Sequence, residues 1–190
     1  MTPDSISKKF DLTRYLGRIL WVLVILTAIV FIIRNALPYF GFDSEVFGRY
    51  WPQKYLLIGH ISGGILALVL GPFQFSSRFR NKYLKVHRQL GKVYVTAILI
   101  GSICAIGLSL TVAMDIHWTW ALSLIGLAIP WMTTVLMAYR SIRLKRINIH
   151  RDWMIRSYIV SFAFITFRIL NDYVMSDLPF IERGPTAIWI

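Results

Sequence analysis

Long apolar stretches alternate with short polar stretches along most of this chain. An apolar run of roughly 20 residues is long enough to cross a bilayer as an α-helix, and five segments fit that description. They cover about 16–33, 55–75, 90–113, 118–139 and 153–173. The pattern therefore predicts an all-α membrane protein, a single integral membrane domain over residues 1–190 built as a five-helix transmembrane bundle.

The charged residues lie mostly between the apolar runs, and their distribution predicts an orientation. Most of the lysines and arginines fall in the N-terminal segment, the connection between spans two and three, and the connection between spans four and five. A five-span chain places these three segments on one face, and an excess of positive charge marks the cytoplasmic face. We therefore expect a cytoplasmic N-terminus, an outside C-terminus, and two similar helical hairpins, spans 2–3 and spans 4–5, in the inner (plasma) membrane of the cell.

Composition narrows the classes of function and of partner. The chain is 56% hydrophobic and 16% charged, whereas soluble domains are roughly 45–50% apolar. Membrane topology and anionic lipid headgroups at the cytoplasmic face account for the net charge of +12, so no nucleic-acid partner is expected. The one cysteine, Cys104, excludes an intramolecular disulfide. The lipid bilayer is the expected partner, and a membrane-protein partner is left open.

A basic motif that ends in His-Arg occurs twice. The copies read RNKYLKVHRQL at residues 80–90 and RLKRINIHRDW at residues 143–153, with His87 and His150 at the same position. Each copy places its histidine at the cytoplasmic start of an outward-going helix. The histidines either contact lipid phosphate with the help of free backbone amides or form a site between two halves of a pseudo-symmetric bundle.

One histidine lies within a predicted span. His60 is several residues into the second span, where an ionisable group is costly and indicates function. Gly64, Ala67, Gly71 and Gln74 follow it at helical spacing and form one face with it. That face fits either a flat ligand close to the backbone or close helix packing, with His60 bonded to a neighbouring helix.

A second charged group, Arg168, lies in the fifth span. It follows His150 by five turns at about 3.6 residues per turn, so the two share a helix face. Three interpretations are open: an ion pair with Asp172, an anion clamp for a carboxylate or cofactor propionate, and snorkelling to the outer interface. Tyr94, on the face of His87, and Arg156, which follows His150, are secondary candidates for the same chemistry.

The order of the four histidines resembles the four-span core of the ascorbate-linked transmembrane b-type cytochromes. By that resemblance, His87 and His150 would be the axial iron ligands of an inner haem b. His60 and His117 would bind an outer haem, with Arg168 near its height, although His117 lies at the rim of its span and His60 lies deeper. Two histidine ligands leave no open iron position, which suits electron transfer. The resemblance thus implies a membrane oxidoreductase or electron carrier.

Locally, the sequence resembles a bacterial family of multi-pass membrane proteins of unknown function. The shared signals are His60 with Gly64, GPFQF at 71–75, HRQLGKVY at 87–94, HRDWMIRSY at 150–158, and Arg168. They run from about residue 55 to 172, name a family without an activity, and leave His117 outside the constellation. The alternatives without haem are a small transporter, a lipid- or quinone-binding module, and an accessory subunit of a membrane complex.

Overall fold

A computed structural model describes residues 3–170 of the chain and the side chains of residues 15–170. Every regular element in this range is helical. The α-helices are α1 (Pro3–Phe31), α2 (Ser44–Phe47), α3 (Lys54–Phe75), α4 (Ser77–Lys82), α5 (Leu84–Leu108), α6 (Met114–Ile116), α7 (Trp118–Arg143) and α8 (Ile147–Ile169). Short π-helical or 3-10 segments join some of these α-helices. They are Ile32–Ala36, Leu37–Gly41, Gly48–Gln53 and Ser109–Ala113.

Helices α3, α5, α7 and α8 form a four-helix bundle in which successive helices run antiparallel. Each packs against the next along the chain, and α3 also packs against α8, which closes the ring. Helices α5 and α8 therefore face each other across a diagonal. Helix α1 lies outside the ring, where Ala28 packs with Leu68 of α3 and Ile165 of α8.

Four stretches of the described residues are long and apolar enough to cross a membrane. They are Tyr15–Gly41, Ser44–Phe75, Leu84–Ile116 and Trp118–Arg143. The prediction of an all-α, multi-pass membrane protein is confirmed at this level. The fifth predicted span corresponds to α8, which carries several charged residues and so has the weaker apolar signal.

The helices of the repeated motif begin earlier than the apolar runs predict. Helix α5 begins at Leu84 rather than near residue 90, and α8 begins at Ile147 rather than near residue 153. The first turns are basic, so a search for apolar residues does not include them. As a result, His87 and His150 lie within the first turns of α5 and α8.

The two hairpins are similar at their ends but differ in their connections. Helix α4 joins α3 to α5 and is capped by Ser76, whose hydroxyl accepts a hydrogen bond from the Phe79 amide at 3.2 Å. A tight turn joins α7 to α8, and Lys145 in this turn adopts a left-handed conformation with φ 59°. The similarity between the hairpins is therefore confined to the helices and their first turns.

Small residues let α3 and α5 approach each other closely. A Cβ atom placed on Gly63 would lie 2.5 Å from the Ala97 carbonyl oxygen and 2.9 Å from the Gly101 Cα. Close backbone contact of this kind is how small residues promote packing between membrane helices. Below this crossing, towards the start of α5, a core cluster that includes Tyr94, Trp131 and Tyr158 fills the bundle.

Candidate functional site

The two copies of the repeated motif occupy equivalent positions in the fold. His87 is the fourth residue of α5, and His150 is the fourth residue of α8. Their backbone amides donate to the carbonyl oxygens of Tyr83 and Arg146, each at 2.9 Å. Both histidines therefore complete a first helical turn at one end of the bundle, which we call the motif end. The opposite end contains Lys54, where α3 begins.

Contacts further along α5 and α8 indicate which faces of these helices carry the two histidines. Tyr94 follows His87 by seven residues, and Ser157 follows His150 by the same seven, which is about two helical turns. The hydroxyl oxygens of Tyr94 and Ser157 are 3.2 Å apart in the core. Since residues two turns apart share a helix face, His87 and His150 face each other about 10 Å nearer the motif end. Their imidazoles are close enough to interact electrostatically.

His150 is held in one tautomer by a neighbouring helix. Its Nδ1 lies 2.9 Å from the Ala138 carbonyl oxygen of α7. A carbonyl oxygen only accepts, so Nδ1 carries the proton and Nε2 keeps its lone pair. A hydrogen bond of this kind orients a metal-binding histidine in known metalloproteins.

His87 contains a buried nitrogen atom that is not hydrogen-bonded. Its Nδ1 has no hydrogen-bond partner among the described residues. The buried Gln74 side chain donates a long hydrogen bond of 3.5 Å to the His87 carbonyl oxygen. Gln74 Oε1 also lies 3.3 Å from the position of a Cβ on Gly91, so a larger residue at position 91 would press on Gln74. A ligand that binds an imidazole could therefore use the Nδ1 atom of His87.

Exposed basic residues surround the facing histidines. We call this set the basic collar: Arg78, Arg80, Lys82, Lys85, Arg88, Lys92, Arg140, Arg143, Lys145, Arg146, Arg151 and Arg156. Arg80 and Arg88 lie within electrostatic reach of the His87 imidazole. The Arg156 guanidinium lies over the Trp153 ring at 4.6 Å from its centroid. The structure therefore places Arg156 in the basic collar and not between the two imidazoles.

His60 lies away from the motif end, among three other helices. Its Nδ1 is 3.1 Å from the Gly101 carbonyl oxygen of α5, which fixes the same tautomer as in His150. Its ring meets Trp131 of α7 edge to face, with centroids 5.9 Å apart, and Phe164 of α8 at 5.4 Å. The expectation that His60 bonds to a neighbouring helix therefore agrees with this geometry.

The structure does not bring His117 together with His60. His117 caps the start of α7, where its Nδ1 accepts from the Thr119 amide at 3.3 Å and its ring lies beside Trp118. Trp131, the neighbour of His60 on α7, lies 13 residues beyond Trp118, a rise of about 20 Å. The α7 neighbour of His60 is thus well inside the helix, whereas His117 lies at its first turn and acts as the helix cap.

Arg168 lies at the far end of α8 from His150. Its side chain is exposed, and its charge acts on Tyr50 in the segment before α3. The shared helix face with His150 follows from their spacing, but Arg168 itself is exposed, while its neighbour Phe167 packs against Trp120 of α7. The predicted partner Asp172 lies outside the described residues.

The described residues contain no group of three or more His, Cys, Asp or Glu side chains that could hold a metal ion. The chain therefore offers a pair of imidazoles at the motif end and two separate imidazoles, those of His60 and His117. Sequence reasoning missed Ser157, Trp131 and Phe164 as neighbours of these histidines. The equal seven-residue offsets of Tyr94 and Ser157 were readable in the sequence and would have identified Ser157.

Comparison with known proteins gives a family. A family model described as "Predicted membrane protein (DUF2306)" matches residues 57–190, which is more than half of the chain. The match confirms the resemblance to a membrane-protein family of unknown function, and its range contains all four histidines and Arg168. No curated protein and no solved structure matches the chain.

Proposed function

We propose that this chain, which belongs to the DUF2306 family of predicted membrane proteins, binds one haem b at the motif end through His87 and His150 and takes part in membrane electron transfer. The proposal depends on the positions of His87 and His150. They lie on equivalent turns of α5 and α8, nearer the motif end than the Tyr94–Ser157 contact, and their imidazoles are close enough to interact electrostatically. A haem with two histidine ligands has no open iron position and supplies one-electron transfer.

The residues at the motif end fit such a group. The Ala138 carbonyl holds the His150 ring and leaves its Nε2 lone pair available. The buried Nδ1 of His87 has no partner in the described part of the chain, so a polar atom at the motif end remains to be satisfied by an added group. Arg80 and Arg88 supply positive charge beside His87 and would balance carboxylate side groups.

The proposal includes five spans, of which α8 is the fifth. It places the protein in the inner or plasma membrane, with the motif end on the cytoplasmic side. The basic collar supports this orientation, because cytoplasmic loops are rich in Lys and Arg. Single cysteines in a Cys104→Ser background would test it with a membrane-impermeant maleimide. In intact cells we expect the exposed Asp43→Cys to be labelled and the exposed Asn148→Cys to be protected. The reverse labelling would overturn the orientation.

The haem proposal is tested by the reduced-minus-oxidised visible spectrum of the purified protein. We expect a sharp haem b band that His87→Ala and His150→Ala each abolish. His117→Ala is the matched control, because His117 caps α7 and should leave the band unchanged. A colourless, folded wild-type protein from haem-sufficient cells would refute the proposal.

A second candidate function is the binding of an anionic lipid headgroup at the motif end. The specific observation is the basic collar around the first-turn amides of α5 and α8, since helix N-termini and basic clusters both attract phosphate. Native mass spectrometry of the colourless protein would then detect retained anionic lipid. Loss of that lipid in Arg88→Gln/Arg151→Gln, with no haem in either protein, would favour this function over electron transfer.

A further inference from the structure

His60 offers a hydrogen-bond acceptor inside the bundle that the haem proposal does not use. Its Nδ1–H donates to the Gly101 carbonyl oxygen, so Nε2 carries a lone pair. Nε2 accepts no hydrogen bond from any residue between 15 and 170, and the ring is only partly buried. An acceptor without a donor in apolar surroundings costs free energy. A ligand that supplies an O–H donor would remove that cost.

The surroundings of His60 are flat and aromatic. The Trp131 and Phe164 rings pack against the imidazole and against each other, with centroids 4.8 Å apart. Trp131 is fully buried, and its indole N–H donates to the Ser161 hydroxyl at 2.8 Å, which fixes its orientation. Trp131 therefore fixes the imidazole from behind, and the partly buried Phe164 ring is the aromatic surface available beside it.

Space is available on the same helix face as His60. Gly64 follows His60 by one turn, and a Cβ placed on it would meet no atom within 4 Å. The adjacent Gly63, by contrast, is closed by the backbone of Ala97 and Gly101. The open side of α3 therefore lies next to the partly exposed imidazole, within a segment apolar enough to cross a membrane. A molecule dissolved in the lipid can approach His60 over Gly64.

We infer that His60, Gly64 and Phe164 form a binding site for a lipid-soluble aromatic ring compound with a free hydroxyl, of the quinol class. The hydroxyl donates to His60 Nε2, and the ring lies beside Phe164, while the buried Trp131 supports the imidazole from behind. An oxidised quinone has only acceptor oxygens and cannot donate to Nε2, so the site favours the reduced form. The site is separate from the motif end and does not depend on haem binding.

The test compares two ligands that differ in the O–H group. Purified protein in lipid nanodiscs is titrated, without oxygen, with a decyl-ubiquinol and with its 1,4-dimethoxy ether, which has no O–H donor. We expect the quinol to bind on the order of tenfold more tightly than the ether, the effect of one buried hydrogen bond. His60→Phe should reduce quinol affinity to that of the ether.

Two further variants separate binding from folding and from partition into lipid. Gly64→Leu should weaken both ligands without unfolding the protein, because its first added carbon meets no neighbour. His117→Phe changes a histidine outside the site and should leave quinol affinity unchanged. Equal affinity of quinol and ether for the wild type, or unchanged quinol binding in both His60→Phe and Gly64→Leu, would show partition into lipid only and overturn the inference. If His60→Phe does not fold, the two ligands and Gly64→Leu still decide.

Discussion

Two adjacent glycines on α3 should respond in opposite ways to the same substitution. Gly63 faces α5, where an added Cβ would lie 2.5 Å from the Ala97 oxygen and 2.9 Å from the Gly101 Cα. Gly64 faces open space, with no atom within 4 Å of an added Cβ. We therefore predict that Gly63→Ala destabilises the protein and that Gly64→Ala, its neighbour in the same helix, does not.

The magnitude follows from the contact distances. Ordinary van der Waals contact for a Cβ begins near 3.4 Å, so Gly63→Ala requires α3 and α5 to move apart by roughly 0.5–0.9 Å at this crossing. The obstructing atoms belong to the α5 backbone, so the helix itself must shift, and overpacking of this kind costs about 1–3 kcal/mol. The higher helix propensity of alanine offsets up to about 1 kcal/mol of that cost. We expect a net loss of about 1–2 kcal/mol for Gly63→Ala, and between no change and a gain of about 1 kcal/mol for Gly64→Ala.

The measurement is the free energy of unfolding, obtained by SDS titration in mixed micelles and followed by tryptophan fluorescence. Both variants are compared with the wild type under the same lipid-to-detergent ratio. Equal destabilisation by the two substitutions, or none by Gly63→Ala, would refute the close contact between α3 and α5. Only a difference between the two neighbours supports it.

Three further predictions use the same titration. Ser161→Ala should cost about 1–3 kcal/mol because it leaves the buried Trp131 indole N–H without its 2.8 Å acceptor, and Trp131→Phe should cost at least as much because it also removes ring volume from the core; equal stability of Ser161→Ala and the wild type would contradict this bond. Tyr94→Phe should cost less, at most about 1 kcal/mol, because its contact with Ser157 is longer, at 3.2 Å, and a larger loss would show a stronger role for this hydroxyl. His117→Ala should cost about 0.5–2 kcal/mol through loss of the α7 cap, while His117→Asn should retain most of the stability; a similar loss in both variants would argue against capping.

Hydropathy predicted the existence of the long helices because apolar length is a direct consequence of bilayer thickness. It did not predict where α5 and α8 begin, since their first turns are exposed and basic. Those turns are helical because their backbone amides, including those of His87 and His150, bond to Tyr83 and Arg146 within the chain. An average of side-chain hydropathy does not detect these backbone hydrogen bonds.

The candidate sites were predictable to different extents. The repeated motif placed His87 and His150 at one end of the bundle, because matching positions on parallel helices lie at matching heights. The neighbours of His60 were not predictable, because they depend on which helices adjoin and how each is rotated about its axis. The role of His117 was also hidden, since a histidine that begins a helix gives the same sequence signal whether it caps the helix or binds a ligand.

Helix α8 combines a weak membrane signal, which its charged residues cause, with several polar contacts in the bundle. His150 bonds to Ala138, Ser161 bonds to Trp131, and Ser157 meets Tyr94, so its polar side chains find partners on α7 and α5. These groups would be costly in lipid without those partners. On the proposed five-span topology, α8 is therefore stable in the membrane only when it is packed against α7. We accordingly expect α7 and α8 to insert as a hairpin.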